Sequence, residues 1–401
     1  MAPTSQNFKS APVIIIGGGI GGLAAALALS RKGITSHVLE QSSAFGEIGA
    51  GIQLGPNAFQ MFEAVGLTDA INRWAVFPDA LIMRDGLSGD EVTRIPLGAA
   101  FRERFRYPYA VIHRADLHRV LLEACQAQLL ITLSAQRKVT EIRDEGEYVT
   151  VETQGGAAVH GAAAIGADGL WSTARAHLVN DGKPRVSGHI AYRAVLPIAE
   201  VPEELNWNSV VLWAGPKTHL VQYPLRRGEL FNLVAVFHSD RYAEGWDVHA
   251  DPAELHERFS AARPEVKTLL GKIDVWKMWV LCDREPIKEW SKGRVTLLGD
   301  AAHPMLQYLA QGAAMAMEDA VVLAEAVDAC AGDFATAFQK YQEERYLRTA
   351  RVQLTARFYG DVYHATGATR DLRNELLMGR APEKGYEGMA WLYDGVRPSR
   401  E

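Results

Sequence analysis

The chain has 401 residues, of which 48% are hydrophobic and 22% charged, with a formal net charge of -6. That balance describes a well-cored folded protein with room for two or three domains, and it excludes a disordered or low-complexity chain. It also lacks the clustered basic face that gripping a phosphate backbone requires, so nucleic acid is not an expected partner. Three widely spaced cysteines, Cys125, Cys282 and Cys330, form no CxxC pair. They fit a reducing, cytoplasmic setting and read as buried thiols.

The first ten residues, MAPTSQNFKS, are polar and read as a loose end. The segment VIIIGGGIGGLAAALAL is nearly long enough to span a membrane, but adjacent glycines divide it into a β-branched strand and an Ala/Leu helix. No membrane span is expected. Gly17, Gly19 and Gly22 have GxGxxG spacing directly after that strand and at the start of the helix, and Glu40 ends the next strand. This is the full dinucleotide-binding unit. Gly17 permits a tight turn, Gly19 lets the backbone approach a pyrophosphate, Gly22 brings helix and sheet together, and Glu40 is placed for a ribose diol. No second such unit follows.

Further along, AAIGADGLWSTAR sets Asp168 and Gly169 after an apolar strand, with Ser172 and Arg175 behind them. From about residue 186 the texture changes to alternating β-rich runs separated by Gly and Pro, as in a mostly antiparallel sheet with one covered face. GRVTLLGDAAHP then ends a strand on Gly299 and Asp300. A carboxylate at the buried end of a strand needs hydrogen-bond donors, and the small residues after it imply a ligand or backbone close by. Residues 312 to 380 read as helical, with a stripe suited to core or dimer packing.

GxGxxG, then DGxxSxxR, then GDAAHP, in this order and covering nearly the whole chain, resembles the class A flavoprotein monooxygenases, the single-component FAD-dependent aromatic hydroxylases. The resemblance implies an α/β fold with a Rossmann-like, glutathione-reductase-like FAD domain, a mostly antiparallel substrate domain and a C-terminal helical region. The corresponding boundaries are 1–80, 105–185 and 280–330 for the FAD domain, 81–104 and 186–279 for the substrate domain, and 331–401 for the helices. It implies non-covalent FAD, with Asp300 on the ribityl chain, Arg114 in VIHRADLHRVLL reaching the cofactor, Asp168 and Gly169 beside it, and the helix starting near Gly312 facing the flavin. It also implies O2 and a transient reduced nicotinamide, NADH by preference, a homodimer, and no metal.

An aromatic hydroxylase needs a base, an orienting donor and a dry cavity. His219 and Tyr223 in THLVQYPL are four apart on a strand and point to one side. Gln307, in HPMLQYLAQG, has amide groups that a substrate phenol could satisfy. With Tyr109 they resemble the 3-hydroxybenzoate 6-hydroxylase subgroup, which makes gentisate. That implies His219 as base or phenol partner assisted by Gln307, and Tyr109 and Tyr223 as orienting residues. Salicylate 1-hydroxylase and 6-hydroxynicotinate 3-monooxygenase share the FAD motifs and remain alternatives, as does an inert flavoprotein that sequesters an aromatic ligand. Trp276 and Trp279, in VWKMWVL, read as packing residues, His303 receives no catalytic role, and no arginine stands out as a carboxylate partner.

Overall fold

The computed structural model describes residues 11–46, 49–240, 248–249 and 251–396. The polar first ten residues lie outside that set. The β-branched run Val13–Ile16 is fully buried, as expected of the centre of a parallel sheet covered on both faces. It pairs in parallel with Ser36–Leu39 on one side and Ala163–Gly166 on the other. Ile131–Ser134 extends the sheet beyond Ser36–Leu39, and Val295–Leu297 extends it beyond Ala163–Gly166. The segment that looked membrane-like is therefore a strand, a turn and the helix Ile20–Arg31. Among the described residues no helix is long and apolar enough to cross a membrane.

Close approach dictates the glycines at that turn. Gly17 holds φ +107, and a Cβ there would lie 2.4 Å from the Ala167 carbonyl oxygen. A Cβ on Gly22 would lie 1.9 Å from the Gly17 carbonyl oxygen, so any side chain would push the helix off the turn. The Ala-rich face of this helix packs against the second buried helix, Gly312–Ala329, in one core.

The second sheet has eight strands. Its centre is an antiparallel series: Lys277–Asp283, the long Arg185–Pro197, Leu230–His238, Thr218–Leu225 and Val210–Gly215. Ala80–Asp85 joins Val210–Gly215 in parallel, with Glu91–Pro96 outside it. One face packs on Phe231, Phe237, Trp213 and Trp276 in a separate core. The other face looks toward the FAD-type domain. The helix Phe334–Tyr363, capped at its start by Asp333, packs on Gly312–Ala329 and, through Ala356, on Ala191, Val234 and Val236 of the second sheet, and Gly367–Leu377 and Pro382–Tyr393 follow.

Of the three thiols, only Cys125 is buried, which pushes it up to about 12. Cys282 and Cys330 are partly exposed, contrary to the sequence reading. Cys282 alternates with the buried Leu281 and Asp283 on its strand, and Cys330 caps a helix C-terminus where packing thins.

Candidate active site

One cavity of about 1340 Å³ runs from the Gly17 turn to the inner face of the second sheet. Gly17, Gly19, Glu40 and Arg114 line its first part, and Asp168, Gly169, Gly299, Asp300 and Gly312 line the next. Gly22 does not reach it and acts by packing alone. The Glu40 carboxylate accepts from the backbone N–H of Gly18 and of Ser42, each at 2.8 Å, which fixes it at the cavity edge. Arg114 opens the helix Arg114–Gln126 at its N-terminus.

Asp168 both lines the cavity and ends in a helix cap. Its carboxylate accepts from the Ser172 hydroxyl at 2.5 Å and from the N–H groups of Thr173 and Ala174 at 2.7 and 3.1 Å, so it caps the short helix Thr173–Leu178. Burial pushes its carboxyl up, and these donors pull it back. Asp300 departs from the expectation of a buried carboxylate. It is exposed and lines the cavity, because the chain turns at Gly299, at φ +62, and carries the side chain out of the sheet.

Behind that turn lies a buried polar support. The Gly299 N–H donates to Asp319 at 3.0 Å, and His303 meets the same carboxylate oxygen at 2.5 Å. Arg345 reaches Asp319 at 2.6 Å and Glu318 at 2.7 Å, and Arg348 adds a second cation on Glu318. Asn57 joins Glu318 to Gln311, the residue before Gly312. His303 therefore supports the loop rather than entering the cavity. Arg175, the last residue of DGxxSxxR, is buried, pairs with Asp181 at 2.6 Å and donates to the carbonyls of Ala301 and Ala302 at 3.0 and 2.6 Å. It ties the DG segment to the GD turn. The motif was visible in the sequence, but this partnership was not.

At the far end of the cavity stand His219, Tyr223, Tyr109 and Gln307. His219 and Tyr223 do share one strand face, whereas Gln222 between them points to the other and accepts from the Trp213 indole at 3.0 Å. The Tyr109 hydroxyl donates to Gln53 at 2.5 Å, and burial pushes both Tyr109 and Tyr223 phenols well up. Tyr223 is pressed against Gly51, where a Cβ would lie 2.4 Å from its ring. Burial, with His189 second, pushes His219 down to about 3.

Two cavity residues escaped the sequence reading. Gln53 sits between the two tyrosines, on a strand whose role nothing local announced. Arg193, on the long central strand, donates to the Gln307 side-chain oxygen, so that oxygen already has a partner. Its guanidinium lies 5.4 Å over the Trp279 ring, so Trp279 carries a cation while Trp276 remains core. The Arg193 Nε is buried without a hydrogen-bond partner, and burial lowers the group to about 10, so it stays charged at neutral pH. An alternation pattern could have flagged Arg193, since it shares a face with Ala191 and Val195.

FAD fits the first part of the cavity. The helices Ile20–Arg31 and Gly312–Ala329 both begin there with no side-chain cap and no acidic residue in the first turn, leaving donors for anionic groups. The volume exceeds the ~300–1,000 Å³ of an ordinary ligand pocket, leaving room for a substrate beside the cofactor. An α/β dinucleotide fold whose cavity is roofed by a second sheet defines a flavoprotein of the aromatic-hydroxylase class.

The family model described as "FAD binding domain" matches residues 10–355, and the chain belongs to that family. It is 50% identical over 390 residues to 3-hydroxybenzoate 6-hydroxylase of Polaromonas naphthalenivorans strain CJ2, covering 97% of each chain. It is 45% identical over 382 residues to 3-hydroxybenzoate 6-hydroxylase 1 of Aquipseudomonas alcaligenes, covering 95% of this chain and 97% of that one. Among solved structures, Klebsiella pneumoniae HpxO complexed with FAD and uric acid superposes with a TM-score of 0.84 at 27% identity, over 96% of each chain. The chain is an FAD-dependent aromatic monooxygenase.

Proposed function

We propose that the protein hydroxylates 3-hydroxybenzoate para to its phenol, giving gentisate, with NADH and O2 as co-substrates. The observation that carries this reading is that His219, Tyr223, Tyr109 and Gln307 line the same cavity as the FAD motifs. Relatives that share 45 to 50% of its residues bear that activity in their names. FAD, when bound, supplies hydride acceptance and oxygen activation. The protein's part is to hold the ring and raise its electron density. His219 accepts the phenol proton, which makes the ortho and para carbons nucleophilic. Gln307 holds the phenol oxygen, and Tyr223 and Tyr109 fix the ring plane.

Arg193 takes the carboxylate in this reading. Its free Nε and its stacked, immobilised guanidinium offer a charge-assisted bond to a planar anion. A substrate without a carboxylate leaves that buried cation uncompensated, so specificity for benzoates follows.

The test is a panel of monohydroxybenzoates with the FAD-loaded enzyme, scoring NADH and NADPH consumption against product and peroxide. Stoichiometric gentisate from 3-hydroxybenzoate supports the reading. Faster conversion of salicylate to catechol overturns the substrate, and NADH oxidation without any oxygenated product overturns the hydroxylase.

A further inference from the structure

A line of histidines leads away from the cavity. His219 uses Nδ1 on Nε2 of His364 at 2.7 Å, and Nδ1 of His364 meets Nε2 of His238 at 3.0 Å. His219, which lines the cavity, keeps Nε2 for a ligand. At the other end His238 is partly exposed. The three rings come from the strand Thr218–Leu225, the C-terminal cap of Phe334–Tyr363 and the strand Leu230–His238. Backbone bonds hold them in line: the Lys217 N–H donates to the His364 carbonyl and the His238 N–H to the Lys217 carbonyl, each at 3.1 Å. His189 lies against His238 with ring centroids 4.1 Å apart and meets the Tyr308 hydroxyl.

His219 and His364 are 2% and 5% exposed, so a positive charge stored on either ring is costly. Burial and neighbouring histidines hold His364 far below the ordinary histidine range. Burial lowers His238 too, helped by Lys217 and Arg258 and opposed by Asp361. Tyr308 and Tyr363 face His219 with their rings and bring no charge at neutral pH. A base so reluctant to keep a proton must hand it on. A neutral imidazole has one donor and one acceptor nitrogen, so a row of neutral rings can do this without any ring storing charge.

We propose that His219, His364 and His238 form a proton path from the substrate phenol to solvent, a proposal that rests on reading His219 as the base. The phenol O–H breaks and its proton bonds to Nε2 of His219. The Nδ1–H of His219 breaks as that proton passes to Nε2 of His364. The Nδ1–H of His364 then passes its proton to Nε2 of His238, and the Nδ1–H of His238 gives one to water. No electron moves between molecules, and each ring ends neutral in its opposite tautomer. Run backwards, the same path reprotonates the product phenolate and restores the tautomers.

The test uses the FAD-loaded enzyme and 3-hydroxy-4-nitrobenzoate, whose phenolate is coloured, mixed rapidly in weak buffer with a pH-indicator dye. In the native enzyme the phenolate band and the proton in solvent rise together. His364→Phe slows proton release at least tenfold. His238→Leu, at the exposed end, slows it and recovers when imidazole is added, which a purely structural residue would not do. If His364→Phe fails to hold FAD, the His238→Leu experiment decides alone. Native release rates in the path variants, with ionisation lost in His219→Ala, overturn the path and leave the base. Native behaviour in all three, His219→Ala included, overturns the base reading and the path with it.

Discussion

Behind the Gly299–Asp300 turn, Arg345, Glu318 and Asp319 are each 0% exposed and remain charged, whereas the buried pair His219 and His364 remains neutral. Burial alone would raise both carboxyls, but His303 and Arg345 hold Asp319 low, and Arg345 and Arg348 do the same for Glu318. Every charge there has a partner at hydrogen-bond distance, and none can move without stranding another. The hydrogen bonds of His219 and His364 run to other histidines, and burial keeps both rings neutral. The first cluster fixes the position of a loop. The second is suited to passing protons, because neutral rings interconvert at little electrostatic cost.

The largest effect expected from breaking this contrast lies on the neutral side. His219→Ala removes the proposed general base, a group worth about 10²- to 10⁴-fold in hydroxylation. Turnover should continue as NADH oxidation with most of it diverted to peroxide, and the ratio of gentisate to NADH measures the loss. Native coupling in this variant would make His219 merely structural.

On the charged side, Arg345→Met takes the shared cation from two buried carboxylates, leaving Arg348 on Glu318 and His303 on Asp319, and should cost roughly 3 kcal/mol of stability. Urea unfolding of the holoprotein measures it, and a loss below about 1 kcal/mol would show that the network is not the support described.

Acid should separate the two clusters. A histidine whose folded pKa is lowered binds fewer protons than the unfolded chain, so stability falls as pH drops from about 6.5, by ~1.4 kcal/mol per unit for each such ring. For His219 the loss continues to about pH 3. Asp319 has the opposite history: its stabilisation is intact above the unfolded carboxylate value of about 3.9 and fades only below it. Unfolding midpoints should therefore decline first between about pH 6.5 and pH 4, and His219→Phe should flatten that segment.

The smallest effect is Gln307→Leu, which removes the proposed hydrogen bond to the phenol and the one to Arg193, and should cost about 1 kcal/mol per bond in coupling or binding. The KM for benzoates, measured beside coupling, separates the two partners.

The glycine turn, the two sheets and the cavity-facing alternation of His219 and Tyr223 were legible because each is a local pattern: spacing, period or strand end. The Asp319–Arg345 support was not, since its members sit on separate helices and look like ordinary charged positions. His364 was equally silent, lying 145 residues from its partner His219. Arg193 was passed over although alternation puts it on one face with Ala191 and Val195, because nothing in the run says which face a cavity closes on. Asp300 was read as buried from the strand before it, but the positive φ of Gly299 turns it outward.

The order of strands in the first sheet bears on how the protein is made. Ala163–Gly166 pairs on one side with Val13–Ile16, but its other neighbour, Val295–Leu297, is synthesised only after the whole second sheet. At ribosomal speeds of about 5–20 residues per second, that open edge waits on the order of ten seconds. During this interval an apolar strand with unpaired backbone is a target for wrong pairing or for a chaperone. Yield in a cell should therefore respond to translation rate and chaperone supply even where the finished molecule is stable.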